Sequence, residues 1–245
     1  LGGAIVVSGF LGRGSGDDIR DLIGYEGLHH RFISISGPAR INVTVSTRNS
    51  HHQTRLSFPG PTVSPAEYEA LLRYLDEIPS GSLVVMGGSL PPGIEPSHLQ
   101  KMVVSLLAHG CECVADFPGE VLKDMFVGGI GPFLIKPNLI EFELLVGSPM
   151  SSREAVVAAA KSLTDKTPLI CVSSVDGGAL LVSEKCAWFG RPPKVQIKSS
   201  VGAGDSMVGA MSVILNQWQL KTRNDVRFSG LLESHGEDLL RWGLA

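Results

Sequence analysis

Nothing in this sequence supplies an excess of positive charge. Its 21 Lys and Arg stand against 24 Asp and Glu, for a formal net charge of −3 and a pI of about 6.2. A chain so balanced offers no phosphate-gripping basic face of the kind that holds nucleic acid. Long apolar runs are also missing. Stretches such as Ala155–Ala160 and Leu83–Met86 fall far short of the roughly 20 residues a membrane helix needs. Cysteine is scarce: Cys111, Cys113, Cys171 and Cys186 are spaced for neither a zinc site nor a disulfide framework. The 29 glycines and 15 prolines in 245 residues are too few for a low-complexity chain. No charged-then-apolar leader opens the sequence. With 43% hydrophobic and 18% charged residues, the chain has enough material for one generous α/β domain or two small ones. The expectation is a soluble, cytoplasmic protein that spans no membrane and binds no nucleic acid.

The chain opens with Leu1-Gly2-Gly3, without Met, and runs at once into an apolar strand. It ends Leu239-Leu240-Arg241-Trp242-Gly243-Leu244-Ala245, an amphipathic helical pattern. Since natural ends are usually polar and frayed, both are expected to be cut ends.

Hydrophobic periodicity gives the organisation. Ala4–Phe10 reads as a buried strand, followed by a glycine-rich loop and a helix over Asp17–Tyr25. Three polar-apolar alternations follow without a helix between them: Arg31–Ser36, Ile41–Thr47 and Thr54–Phe58, the last two bracketing a hairpin turn at Arg48–Gln53. Consecutive short strands predict a small antiparallel sheet over residues 31–61, able to serve as a lid or an interface and distinct from a body of residues 1–30 and 62–245. From Ser64 the rhythm changes. Ser64-Pro65-Ala66-Glu67 carries the N-cap, first-turn Pro and capping-box Glu of a helix start, and that helix runs to about Ile78. Strands Leu83–Met86, Cys111–Asp116, Phe133–Lys136 and Leu169–Ser173 then alternate with helices at Pro96–Ala108, Gly119–Phe126, Ile140–Val146 and Arg153–Leu163. Ala179–Ser183, Ala187–Phe189 and Lys194–Lys198 read as a short antiparallel extension before a long helix, Ala203–Leu220. The predicted class is α/β, a doubly wound, mainly parallel sheet flanked by helices, with a small antiparallel β lid.

In such sheets ligands collect at the carboxyl ends of the strands. Those ends carry Gly87-Gly88-Ser89, Asp116, Lys136-Pro137-Asn138 and Ser173-Ser174-Val175-Asp176-Gly177-Gly178. The most informative stretch is Ser199-Ser200-Val201-Gly202-Ala203-Gly204-Asp205-Ser206-Met207, small residues that lead into an apolar helix. A helix start offers unpaired N–H groups and the positive dipole end, and glycine lets an anion approach closely. Asp205 there can take a proton from an attacking hydroxyl while Gly202, Ala203 and Gly204 hold phosphoryl oxygens. It can equally serve only to cap the helix. Asn138 and Glu141, one turn apart, can face a magnesium ion through bound water, or simply cap an ordinary helix.

Gly12-Arg13-Gly14-Ser15-Gly16 fails the dinucleotide fingerprint, because Asp17 occupies the third glycine's place, and it reads as a turn. Arg40 can hold a phosphate as a bidentate donor or be a solvated strand residue. His29-His30 and His51-His52 lack metal-ligand partners at useful spacing. Met86, Met125, Met207 and Met211 read as core.

These residues together resemble the ribokinase-like sugar kinases, and within them the phosphofructokinase B group. Ser200-Val201-Gly202-Ala203-Gly204-Asp205-Ser206-Met207 is similar to that group's C-terminal signature, and Lys136-Pro137-Asn138 with Glu141 to its magnesium-associated Asn-x-x-Glu motif. Gly88-Ser89-Leu90-Pro91-Pro92-Gly93 is similar to the loop after a central strand. Gly9-Phe10-Leu11-Gly12, Arg40-Ile41-Asn42-Val43 and Phe58-Pro59-Gly60-Pro61 are most similar to the subgroup acting on fructose 1-phosphate.

The resemblance implies transfer of the γ-phosphoryl group of ATP, with Mg2+, to a sugar-phosphate hydroxyl. The first acceptor is fructose 1-phosphate, with fructose 6-phosphate and tagatose 6-phosphate as alternatives. It implies Asp205 as base and Gly202, Ala203 and Gly204 as the anion hole. Asn138 and Glu141 would serve magnesium, and Lys136, Ser173, Gly178 and Ser200 the nucleotide. Arg40, Gly88 and Ser89 would serve the substrate, and the β lid would form a homodimer contact. Two departures stand out. Phe117-Pro118 replace small hydroxyl residues, one of which would bind the substrate phosphate, and Val175 replaces a glycine and is expected to crowd ATP. They favour a second reading, a catalytically weak relative that binds sugar phosphate or nucleotide. A third reading, a nucleoside or unphosphorylated-sugar kinase, is opposed by Arg40 and the lid pattern.

Overall fold

The computed structural model describes residues 5–46, 53–126, 129, 131–195, 201–222 and 228–245. The hairpin turn at 48–52, His51-His52, Ser199 and Ser200 lie outside these residues. The chain divides into two compact units, Leu1–Glu77 with Leu90–Glu95, and Ile78–Ser89 with Pro96–Ala245.

In the first unit β1 (Val6–Arg13), α1 (Ser15–Tyr25) and β2 (His29–Pro38) follow in order. β1 and β2 form a two-stranded parallel sheet in which Val6 faces His29 and Gly12 faces Ile35. This corrects the expectation that Arg31–Ser36 joins an antiparallel sheet. The eleven-residue α1 returns the chain to the starting end of β1, and a strand entered through such a crossover runs parallel. Among the described residues of this unit, the antiparallel pair is β3 (Val43–Ser46) with β4 (Gln53–Leu56). The expected glycine loop before α1 contracts to Gly14, whose φ of +70° turns the chain directly into the helix.

α2 (Pro65–Asp76) starts as its sequence predicts. Ser64 Oγ accepts from the Glu67 N–H, and the Glu67 carboxylate accepts from the Ser64 N–H at 2.7 Å. Those hydrogen bonds hold the Glu67 carboxyl below its ordinary value. Tyr68, Leu71 and Leu75 turn to the interior, as do Leu11, Ile35, Val63 and Ile94 of the same unit.

The second unit is built on β5 (Leu83–Gly87), β6 (Glu112–Asp116), β7 (Leu134–Ile135), β8 (Leu169–Val175), β9 (Gly178–Ser183) and β10 (Ala187–Gly190). They form one sheet in the order β10-β9-β8-β7-β6-β5, parallel from β5 to β8 and antiparallel through β9 and β10. The helices are α3 (Pro96–Ala108), α4 (Gly119–Met125), α5 (Leu139–Val146), α6 (Arg153–Lys161), α7 (Ala203–Thr222) and α8 (Phe228–Leu244). Near-continuous burial along β6, β8 and β9 fits a sheet covered on both faces. Val114, Leu134, Leu169, Leu181, Met211, Leu215 and Leu239 share one core cluster. Met86, Met125, Met207 and Met211 are buried as expected.

One expectation is revised here. Lys194 and Val195 are not strand, and the rest of the predicted strand at 196–198 lies outside the described residues. α8 is helical from Phe228 and passes through Gly236. A side chain at Gly236 would run into the Trp188 ring, so this glycine is a packing notch. Among the described residues no helix is long and apolar enough to cross a membrane.

Candidate active site

The parallel strands of the second unit all end at one rim, and most of the predicted residues meet there. β5 ends at Gly87, which pairs with Asp116 at the end of β6, and the Gly88 N–H donates to the Asp116 carbonyl at 3.2 Å. Gly88 takes a φ of +99°, and both Gly88 and Ser89 are exposed. Lys136 follows β7, its N–H donating to the Ala115 carbonyl at 3.1 Å. A parallel bridge joins Asn138 to Ser173 at the end of β8, and the Ser173 N–H donates to the Pro137 carbonyl at 3.0 Å.

The fifth contribution comes from α7. It begins at Ala203, and its first turn closes when the Ser206 N–H donates to the Gly202 carbonyl at 2.8 Å. The two glycines of this turn have different reasons to be there. Gly202 has a φ of +82°, where a side chain is strained. Gly204 is closely approached: a Cβ there would make a tight contact, 3.3 Å, with Lys136 Nζ and would lie 4.0 Å from Asp116 Oδ2. Asp205 is the third residue of the helix and exposed, so it is not the N-cap. The reading of Asp205 as a plain cap is therefore set aside, although its charge still suits the dipole end.

Lys136 is buried, and its Nζ lies 3.2 Å from Asp116 Oδ1. Burial pushes the Asp116 carboxyl up, Lys136 opposes that shift by charge and hydrogen bond, and the Asp205 charge adds to it. Beneath the pair, burial pushes the Cys171 thiol up to about 12, so it is neutral. Asp116 as the partner of Lys136 was missed by the sequence reading. The strand-end rule finds the carboxylate, but its partner lies on another strand twenty residues away.

Asn138 and Glu141 form a reciprocal capping box on α5. Asn138 Oδ1 accepts from the Glu141 N–H at 2.9 Å, and Glu141 Oε2 accepts from the Asn138 N–H at 2.8 Å. Capping leaves lone pairs on both groups. Among the described residues no group of three or more His, Cys, Asp or Glu could hold a metal ion. The donor set thus fits a hard cation held mainly by water and phosphate oxygens, and does not fit an all-protein cage.

The two departures are placed as follows. Phe117 is 4% exposed and belongs to the core, while Pro118 is exposed at the start of α4. Gly119 admits no side chain because the Glu141 carbonyl packs against it, which ties α4 to α5. Val175 is only 3% exposed, opposite Gly178, so it shows almost no surface with which to crowd a ligand. Ser174 bulges out at the rim instead, with a φ of +62°. Gly178 is buried, and a side chain there would run into the Gly190 carbonyl and the Phe189 ring.

In the first unit Arg40 lines an open groove of about 440 Å3 with Ser15, Ile41, Phe58, Pro59 and Pro61. Nearby in sequence, Asn42 Oδ1 is buried without a hydrogen-bond partner among the described residues. His29 and His30 are exposed, and His30 stacks on Phe32.

A mixed α/β body with a largely parallel sheet, whose strand ends meet the glycine-started α7 at one rim, places the chain in the ribokinase-like class of kinases. The chain belongs to the pfkB family of carbohydrate kinases, whose family model matches residues 1–226. It is 31% identical over 215 residues to 1-phosphofructokinase of Bacillus subtilis, covering 87% of this chain and 69% of that protein. It is 33% identical over 219 residues to ATP-dependent 6-phosphofructokinase isozyme 2 of Escherichia coli, covering 88% and 70%. The crystal structure of Escherichia coli phosphofructokinase-2 in complex with fructose-6-phosphate superposes with a TM-score of 0.84 at 28% identity, covering all of this chain and 75% of that one. The protein is a sugar kinase, and ATP is the phosphoryl donor that its family implies.

Proposed function

We propose that this chain transfers the γ-phosphoryl group of ATP to the free primary hydroxyl of fructose 1-phosphate. The observation that carries the reading is the exposed Asp205 carboxylate on the first turn of α7, beside Gly202–Gly204 and the buried Lys136. Asp205 takes the proton of the attacking hydroxyl. The unpaired N–H groups of the first turn and the Lys136 ammonium face the charge that builds on the transferred group. Asn138 and Glu141 would hold Mg2+ through water, and the ion would neutralise phosphate charge. Ser173, bridged to Asn138, serves the nucleotide side together with Ser200. Gly88 and Ser89 serve the sugar, and Arg40 serves its existing phosphate. The exposed Val43, Val45 and Leu56 of the β3–β4 hairpin support a homodimer contact there, and the reaction suits a cytoplasmic enzyme.

A second acceptor, fructose 6-phosphate, is favoured by the close structural likeness to the Escherichia coli enzyme in complex with that sugar. ADP release with fructose 1-phosphate, fructose 6-phosphate and tagatose 6-phosphate, measured side by side with and without Mg2+, tests both. The expected result is Mg2+-dependent turnover fastest on fructose 1-phosphate. Turnover confined to another sugar phosphate reassigns the acceptor. Silence on all three from folded protein moves the reading to a different phosphoryl acceptor or to a relative that binds without turnover.

A further inference from the structure

Lys136 and Asp116 are more than neighbours at the rim. Their side chains are 6% and 22% exposed, and a lysine buried to that degree is costly unless a partner compensates its charge. The backbone fixes both residues. The Ala115 carbonyl holds the Lys136 N–H, the Gly88 N–H holds the Asp116 carbonyl, and a side chain at Gly87 would come within 3.1 Å of that same carbonyl. The first turn of α7 lies close on another side, since a Cβ on Gly204 would come within 3.3 Å of Lys136 Nζ. The Cys171 thiol below is neutral and offers the ammonium no competing anion.

We propose that Asp116 is a positioning residue whose carboxylate holds the Lys136 ammonium against the first turn of α7, beside the N–H groups of Gly202–Gly204. The inference rests on the kinase reading and adds a residue to it. A lysine has a flexible four-carbon stem and no planar fork to fix its charge in space. A carboxylate anchored at the neighbouring strand end removes that freedom before the nucleotide arrives. The cation then needs no rearrangement when charge develops on the transferred phosphoryl group, which is the condition for strong electrostatic stabilisation. A purely structural strut makes a different prediction: loss of stability with unaltered kinetic constants in the folded protein.

The test compares Asp116→Asn, Lys136→Met and the double variant in the full chain. Circular dichroism reads folding, ADP release reads kcat and KM, and calorimetry reads ATP binding. Asp116→Asn is expected to lower kcat/KM for ATP by about 10–100-fold, the size seen when an outer partner that orients a functional side chain is removed. KM for the sugar phosphate is expected to hold. The double variant is expected to be no slower than Lys136→Met, because Asp116 acts through Lys136. Unchanged kinetics in folded Asp116→Asn, or losses that multiply in the double variant, overturn the proposal. Should Asp116→Asn alone fail to fold, the Lys136→Met background decides. A further kinetic loss on removing Asp116 there counts against positioning, and no further loss supports it. The unaltered chain is measured first. If it neither binds ATP nor releases ADP, the kinase reading fails and takes this proposal with it. If it turns over, a normal Asp116→Asn overturns the positioning role alone.

Discussion

Asp205 occupies a place where two physical demands coincide. As the third residue of α7 it profits from the helix dipole, and being exposed it keeps an ordinary carboxylate's access to an incoming hydroxyl. Replacing it separates the demands. Asp205→Asn keeps size and shape, so its fold loss is limited to the few tenths to 1 kcal/mol of a charge at a helix start. If Asp205 is the base, kcat falls by about 10²–10⁴. ADP release and a melting curve on the same preparation check both numbers. Undiminished turnover with a lowered melting temperature would leave Asp205 only its electrostatic role. Gly202 and Gly204 show why residue identity alone misleads: one answers a left-handed backbone and the other a neighbour's ammonium, and nothing in Gly-Ala-Gly tells them apart.

At the scale of the element, α5 starts on a pair of side chains to which the proposed function gives a second purpose. The Asn138–Glu141 box satisfies N–H groups at a helix start, and the proposal asks the same oxygens to hold Mg2+ through water. Asn138→Ala is expected to cost about 1 kcal/mol of stability through the lost cap. Asn138→Ser restores the cap and hence the stability, while kcat stays low because the hydroxyl does not reach water held at the rim. Denaturant melts and ADP release on both variants read the two effects separately. Equal turnover in the Ser variant and the unaltered chain would reduce Asn138 to a cap.

Elements of this kind were legible in the sequence because their signals are local. The capping box of α2, the strand–helix alternation from β5 to β8 and the small residues before α7 all lie within a few residues of what they specify. The pairing of β1 with β2 was not legible. Alternation along residues 31–36 reports a half-exposed strand but says nothing of its partner's direction, which α1 decides. The exposed Ser174 bulge and the burial of Val175 escaped for the same reason. A register shift against β9 decides which of two adjacent side chains turns inward.

For the body as a whole, the question is what covers the β9–β10 end of the sheet. α8 packs over both strands and against α7 through three close fits. Trp188 lies on Gly236, Leu240 and Leu244 lie over Gly190, and Met207 and Met211 lie against Gly243. Leu239 and Leu240 are buried in the same cluster as Met207, so the helix that covers β9 and β10 also supports the helix that carries Asp205. Gly236→Leu fills the Trp188 notch, and overpacking of this kind costs about 1–3 kcal/mol. The melting temperature is expected to fall and tryptophan emission to shift to the red as the ring is displaced. ADP release below the melting transition is expected to decline with the folded fraction and no faster. A loss of turnover well ahead of unfolding would instead mean that α8 sets the geometry of the α7 start, because Met207 is one turn of helix from Gly204 and moves with it.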